Sequence, residues 1–510
     1  MSEQVLIVGA GPTGMVLALW LNKLGVKFRI LDRAPGPGTT SRAMAVQART
    51  LELYQQLDLS ETVVKQGKLG MANNFWAGGV KKATVELGEL GKGLTPYPYM
   101  LVFPQDRHEK LLADRLAAAG VTIERNVEVL SYQDLGTHIS AVYREVSGEQ
   151  KTIDAQYIVG CDGAHSLVRK GLGVDFPGGT YDKVFYVADV EASGPVIDGN
   201  MHIDFEKSDF MMVMNYAEPG LARLIGTVKA ADDADLKAMR FEDVSQGAMK
   251  SLKIDVHKVN WFSVYRVHHR VASTFHKGRA FIAGDAGHIH SPAGGQGMNT
   301  GIGDSINLAW KLAAVLHGEA TEALLDTYDP ERQTFATKLV HTTDKLFTLA
   351  TAEGGFANFF RADLFPAIIP LAMGVDFTKS FLFHAISQID LNYRESPISA
   401  GSAGKVKGGE RLPWVSIDGR SNFDYLPMTW NVQVYGSASP ALTDWCKRKS
   451  LPLATFPWGQ EYDDAGFKKD AVYLLRPDTY VAFASKDQAV EKLDQFLESK
   501  GLMPGGSLKS

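Results

Sequence analysis

The sequence predicts a multidomain α/β protein, and three observations carry that expectation. An apolar run, Val5 to Val8, feeds a glycine cluster, Gly9, Gly11 and Gly14, and then an apolar helical stretch, Met15 to Leu24. Two more glycine-bearing turns follow short apolar strands, at Cys161-Asp162-Gly163 and at Gly284-Asp285. Between those two turns lie segments with strand-like patterning, so a sheet is inserted into the α/β part and the chain then rejoins it. A chain of 510 residues is too long for one core, and its 45% hydrophobic content suits two or three domains.

The first element is a strand-turn-helix unit of Rossmann type. Gly9 permits the tight turn, Gly11 lets backbone approach a pyrophosphate, and Gly14 lets helix and strand pack closely. With Ala10, Pro12 and Thr13 these residues place a phosphate at the helix N-terminus. The second strand, Phe28 to Leu31, ends at Asp32, whose carboxylate suits a ribose diol, a charge-assisted bond of roughly 1.5–3 kcal/mol. A glycine-rich turn without a ligand is the plain alternative; the acidic strand end argues against it. This unit does not separate FAD from a nicotinamide dinucleotide, since both carry the same adenosine diphosphate end.

The later turns favour FAD. Phe281-Ile282-Ala283 runs into Gly284-Asp285, where a carboxylate can bond a ribityl hydroxyl. The stretch Ser291 to Asn299, with Gly295, Gly297 and Met298, then approaches a helix over Asp304 to Leu316. A helix N-terminus there suits the anionic edge of a reduced flavin. No Gly-Lys-Ser/Thr sequence exists, and His288 and His290 lack a ligand set, so no metal is expected and both histidines read as structural.

In the insertion, Val184 to Val190, Met201 to Phe205, Phe210 to Tyr216, Leu221 to Val228 and Trp261 to Val267 predict an antiparallel sheet. The expected boundaries are 1–175 with 270–390 for the cofactor domain, 176–269 for the sheet, and 395–510 for a C-terminal domain. Helical patterning covers Tyr328 to Leu349 and Phe356 to Ile386. The net charge of −5 offers no basic field for nucleic acid. The apolar stretch Leu364 to Val375 is too short for a membrane span and holds Pro366 and Pro370. The first strand begins within a few residues of Met1, so no targeting segment is expected. Two cysteines, Cys161 and Cys446, exclude a disulfide framework, and a cytoplasmic location is expected.

Taken in order, these motifs resemble the FAD-dependent aromatic hydroxylases, the single-component flavoprotein monooxygenases that include para-hydroxybenzoate hydroxylase, phenol hydroxylase and the polyketide-tailoring oxygenases. The resemblance spans nearly the whole chain. It is carried by Gly9-Ala10-Gly11-Pro12-Thr13-Gly14, Ser41-Arg42-Ala43, Pro104-Gln105, Cys161-Asp162-Gly163-Ala164-His165-Ser166 with Arg169, Gly284-Asp285-Ala286-Gly287-His288, and Asp304 with Asn307 to Leu312. It implies FAD bound by the first turn, Asp32, Arg33, Arg42, Gln105, Val129, Asp162, Gly163, Gly284, Asp285, Gly295, Gly297, Met298 and Asn299. Arg42 and Arg169 read alternatively as surface ion pairs, and Gln105 as a solvated loop residue. Gly409 to Pro413 and Leu475 to Asp478 resemble landmarks of the family's thioredoxin-like C-terminal domain, here without a Cys-x-x-Cys pair.

The resemblance further implies NADPH or NADH as a transient reductant, since no second dinucleotide turn is present. Oxygen and a small aromatic substrate would then react through a flavin C4a-hydroperoxide, giving a hydroxylated phenol or polyketide-like product. Tyr216, Arg223, His202 and Pro292 are the catalytic candidates, and Met214, Tyr216 and Pro292 the substrate contacts. Met214 and Tyr216 share strand parity and so face one chamber; core packing is the competing reading for them, and a structural role for His202. A Baeyer-Villiger or epoxidising enzyme uses the same scaffold. A halogenase is disfavoured by the lack of a Trp-x-Trp pair, and a non-catalytic nucleotide-binding protein by the complete Gly284 to Asn299 segment. A homodimer is a possible assembly.

Overall fold

The computed structural model describes residues 3–506 except 40–42, 71, 87, 89, 206–209, 217, 229–234, 237, 245, 291–294, 352–382 and 385. Arg42, Pro292, the stretch 364–375 and most of the helical patterning over 356–386 therefore lie outside the described residues.

The strand Glu3–Val8 lies between Phe28–Asp32 and Gln150–Gly160, parallel to both. A strand covered on both sides must be apolar on both faces, which is why Val5, Leu6 and Ile7 are all fully buried. Ala280–Ile282 continues the parallel set beyond Gln150–Gly160. The helices Pro12–Lys23 and Gly297–Leu316 pack against each other, so the first and third glycine turns open at neighbouring places.

The inserted sheet is mostly antiparallel. Its long strands, Gly178–Ser193 and Asp255–Val271, pair along nearly their whole length, followed outward by Leu221–Val228, Phe210–Asn215 and Met201–Phe205. It extends beyond residues 176–269, because the hairpin Ala72–Ala77 and Val80–Glu86 joins it by parallel pairing of Asn73 with Met201. Gly78 and Gly79, with φ of 59° and 71°, make the two-residue turn of that hairpin. The pairing partner lies far along the chain, so local patterning gives no sign of it.

Cross-strand register gives this sheet two distinct faces. On one, Val213, Leu224 and Ala188 are buried with Ala248 and Met249 of the short helix Gly247–Ser251. On the other run Met201, Met214, Arg223, Asp189 and Trp261, and beside them Ile203, Met212, Ile225 and Val187. That second face meets Met44 and Val102 of the cofactor part.

At the C-terminus a six-stranded mixed sheet has Asn431–Tyr435 parallel to Leu453–Phe456 and antiparallel to Val472–Leu475, which pairs with Val481–Ser485. The helices Pro440–Arg448 and Val490–Ser499 complete it. Its core side chains Val432, Val434 and Leu474 merge with the main core, so this part is fastened along the cofactor part. Cys161 and Cys446 are free thiols. Among the described residues, no helix is long and apolar enough to cross a membrane.

Candidate functional site

The three glycine turns converge. A Cβ at Gly9 (φ 102°) would stand 2.3 Å from the carbonyl oxygen of Cys161, so the first turn presses on the second. A Cβ at Gly14 would stand 2.0 Å from the Gly9 oxygen, which is the close helix–strand approach that this position requires. Around Gly11, by contrast, nothing lies within 4 Å, and this open side is where a pyrophosphate would approach. The helix it opens, Pro12–Lys23, has no side-chain cap and no acid in its first turn, so its N–H groups are left for an anion.

Asp32 ends its strand half-buried, with Oδ2 accepting from the Ala10 N–H at 2.5 Å and Oδ1 from Ala34 at 2.7 Å. Arg33 beside it is exposed. Val127 donates its N–H to the Asp32 carbonyl, which brings the strand Glu128–Asp134, with buried Val129, alongside the same strand end. Gln105 is a loop clasp: its Oε1 accepts from Ala43 N–H at 3.0 Å, and its Nε2 donates to Glu109, whose other oxygen holds Gly38.

Asp162 caps the helix Leu167–Leu172 by accepting the Leu167 N–H at 2.7 Å, while its Oδ1 is buried without a partner and burial pushes its pKa up. Gly163 (φ 78°) has open space beside it. Arg169 is buried, stacks on Phe176 at 3.8 Å, and donates to the carbonyls of Ala164 and Ala286, both at 2.8 Å. It thus ties the second turn to the third.

At the third turn Gly284 (φ 62°) packs on Thr13, and Asp285 is exposed. Asp304, fully buried on the helix Gly297–Leu316, accepts from Gly284 N–H at 3.0 Å, pairs with His288 Nε2 at 2.7 Å, and takes Arg332 Nε at 2.7 Å. Burial opposes its charge, but Arg332 and His288 outweigh that and hold the carboxyl down at about 2. The helix starts after Gly295 (φ 61°) with no side-chain cap at Gln296. Its first turn carries Gly297, half-buried Met298 and buried Asn299. The Asn299 side chain is wholly engaged: Oδ1 accepts from Gln47 N–H and Thr50 Oγ1, and Nδ2 donates to the Ala45 and Gly295 carbonyls.

Across from these turns, the inserted sheet presents Met201, Met212, Ile225 and Tyr216 half-buried beside buried Met214. Arg223 is buried and grips Asp189 with two hydrogen bonds, at 2.8 and 2.7 Å. Tyr216 lies next to that pair; burial, followed by the Asp189 carboxylate, pushes its phenol up to about 12. His202 belongs to the opposite face. Its Nδ1 accepts from Trp76 Nε1 at 3.0 Å and its Nε2 meets Asp198 at 2.8 Å, so no ring nitrogen is left for a substrate proton.

A family model described as an FAD binding domain matches residues 2–343. 6-Methylpretetramide 4-monooxygenase of Streptomyces rimosus is 35% identical over 79% of this chain and 72% of its own length. The chain belongs to the FAD-dependent aromatic hydroxylase family. Among further relatives, the 12-dehydrotetracycline 5-monooxygenase/anhydrotetracycline 6-monooxygenase of Streptomyces rimosus subsp. rimosus is 30% identical over 95% of this chain and 96% of its own. The solved structure of OxyS anhydrotetracycline hydroxylase from Streptomyces rimosus superposes with a TM-score of 0.79 at 28% identity, covering 100% of both chains.

This member of the aromatic hydroxylase family is a flavin-dependent monooxygenase, with FAD as cofactor and NAD(P)H as the family's reductant. Its residues fit FAD, because open space at Gly11, uncapped helix starts at Pro12 and Gly297, and a carboxylate at Asp32 occur at adjoining turns. Sequence reasoning missed the parts that orient these turns. Asp304 and Arg169 carry the family motif but had no assigned task, and Arg332 gave no signal at all. The signal for Asp304 was a lone acid inside an apolar helix, which needs a buried partner.

Proposed function

We propose that this monooxygenase hydroxylates an uncharged phenolic, polycyclic or polyketide-like aromatic held between the flavin and the methionine face of the inserted sheet. The observation that carries the reading is the set Met44, Met201, Met212 and Met214 around Ile225 and Tyr216. Thioethers are polarizable and flexible, so they adapt to the flat faces of large aromatic rings. Arg223 is no anchor for a substrate carboxylate in this reading, since its charge is answered by Asp189. The tetracycline precursors named for two relatives are polycyclic substrates of the same kind.

FAD, when bound and reduced by NAD(P)H, would activate O2 so that one of its oxygen atoms can pass to the ring. The chain's own residues do the rest. Tyr216, kept neutral by a phenol pKa near 12, leans on the Asp189 carboxylate and uses its remaining lone pair to accept the substrate hydroxyl, which polarises the ring for attack. Met214 and Met212 cover the ring and exclude water. In this reading, residues 1–175 and 270–390 form the cofactor domain and 176–269 supply most of the substrate sheet. Residues 395–510 form a thioredoxin-like unit without its dithiol. The parallel pair Asn431–Tyr435 and Leu453–Phe456, followed by an antiparallel pair, supports that last assignment.

Anaerobic reduction by NADPH or NADH, with neutral and carboxylated phenols and polyphenols, followed by an oxygen pulse, tests the proposal. Neutral polycyclic phenols are expected to speed reduction and to emerge with one added hydroxyl. Acceleration confined to carboxylated aromatics overturns the uncharged chamber, and an ester or lactone product replaces hydroxylation with Baeyer-Villiger chemistry. Tyr216→Phe is expected to keep bound FAD and lose about tenfold in hydroxylation, the worth of one well-placed hydrogen bond. Unchanged hydroxylation by this variant removes Tyr216 from the mechanism.

A further inference from the structure

The turn Arg476 to Tyr480 reaches out of the C-terminal sheet into the cofactor part. Arg476 is fully buried and donates to both oxygens of Glu331, at 2.7 and 2.9 Å, and to both oxygens of Asp478, at 2.9 and 2.6 Å. Glu331 also takes Lys311 Nζ at 2.8 Å and Asn307 Nδ2 at 2.6 Å, both on the helix Gly297–Leu316. The next residue, Arg332, holds Asp304, and Asp304 holds the Gly284 N–H. Buried charge contacts therefore run from the C-terminal turn to the cofactor turn.

The same C-terminal turn grips a second helix. Arg49, on the helix Ala48–Gln55, donates to the Asp478 carbonyl at 2.9 Å and the Thr479 hydroxyl at 2.8 Å. The start of that helix is joined to the start of Gly297–Leu316 through Asn299. One turn thus holds the first turn of one helix directly, at Arg49, and the middle of the other through Glu331, while Asn299 joins the two helix starts.

Thr479 sits at φ 68°, a left-handed conformation that a β-branched residue adopts only under strain. The set Asp304, Glu331 and Asp478 against Lys311, Arg332 and Arg476 is balanced in charge, yet every one of these ions has lost its hydration. Apolar side chains would hold the two parts together at lower cost. What strained backbone and fixed-geometry guanidinium forks add is orientation.

We infer that the turn Arg476 to Tyr480 is a cofactor brace, with Arg476, Asp478 and Thr479 acting as positioning residues for FAD that never touch it. The C-terminal sheet, lacking a dithiol, serves by setting where the N-termini of Gly297–Leu316 and its neighbour stand against the flavin. The inference rests on FAD binding alone and is independent of which substrate the enzyme takes.

The test compares two full-chain holoenzymes by FAD dissociation constant, flavin midpoint potential and thermal midpoint. Arg476→Lys keeps the charge and loses the fork. It is expected to weaken FAD about tenfold, within the range for couplings carried through packed networks, and to lower the midpoint potential, because the helix N-terminus stabilises the reduced flavin less. Trp445→Phe, buried in the C-terminal part and bonded there to Asp494 at 2.9 Å, is expected to lower the thermal midpoint while leaving FAD affinity and potential unchanged. Should Arg476→Lys yield no folded protein, the charge-neutral pair Glu331→Gln with Arg476→Gln is read in its place. The brace is refuted if the Arg476 variant loses thermal stability with FAD affinity within twofold of the parent and the midpoint potential unshifted. It is equally refuted if Trp445→Phe shifts both as far.

Discussion

Gly14→Ala is expected to purify without FAD and with a lowered thermal midpoint. Its Cβ would stand 2.0 Å from the Gly9 carbonyl oxygen and 3.3 Å from the Cys161 side chain. The nearest atoms are backbone of the turn at Gly9, so no flexible side chain can swing away. The two elements must separate, at a cost at the upper end of overpacking in cores, about 3 kcal/mol. Separation also pulls the helix start away from the pyrophosphate. Gly11→Ala makes the informative contrast, since nothing in the protein lies within 4 Å of the added methyl. It is expected to melt like the parent yet bind FAD at least tenfold more weakly, because only the cofactor meets the methyl group. Equal melting and equal FAD affinity for the Gly11 variant would show that the pyrophosphate does not pass there.

Asp304→Asn carries the second large effect. Removing one partner of a buried ion pair typically costs about 3–5 kcal/mol, because the guanidinium of Arg332 is left buried without its counter-charge. The Gly284 N–H can still be accepted by the amide oxygen, so the loss comes from charge rather than shape. The pH dependence gives an independent check. A carboxyl held at about 2, against an ordinary 3.8, stabilises the fold fully above pH 4, and this contribution fades as pH falls through 4 toward 2. That fading is about 2 kcal/mol on linkage grounds, for a group this deeply buried. In the Asn variant the drop across this window should be smaller by that amount. Acid unfolding curves of the two proteins that stay parallel between pH 4 and pH 2 would show that Asp304 is not held low.

The candidate site was legible in the sequence where chemistry is local. A tight turn needs glycine, a phosphate needs free N–H groups, and a ribose needs an acid at a strand end; each of these is written in adjacent residues. The order of Gly9 to Gly14, Cys161 to Gly163 and Gly284 to Asn299 therefore announced one long cofactor and the family that uses it. Strand parity was legible too, and it set Met214 and Tyr216 on one face. Other assignments depended on partners the sequence does not name. His202 is spent between Trp76 and Asp198, Asn299 between two helices, and Arg223 on Asp189. A side chain's type says what it can bond, and only its neighbours say what remains unbonded.

By itself, then, the sequence determined the cofactor turn, the α/β class, the inserted sheet and the missing dithiol, because each follows from backbone conformation or residue type within a short span. Tertiary structure alone decided that the hairpin Ala72–Ala77 with Val80–Glu86 completes the inserted sheet, that Arg169 ties two turns together, and that Arg476 reaches Glu331 across the C-terminal boundary. Those contacts join residues far apart in the chain, and buried charges find their partners only when packing has excluded water.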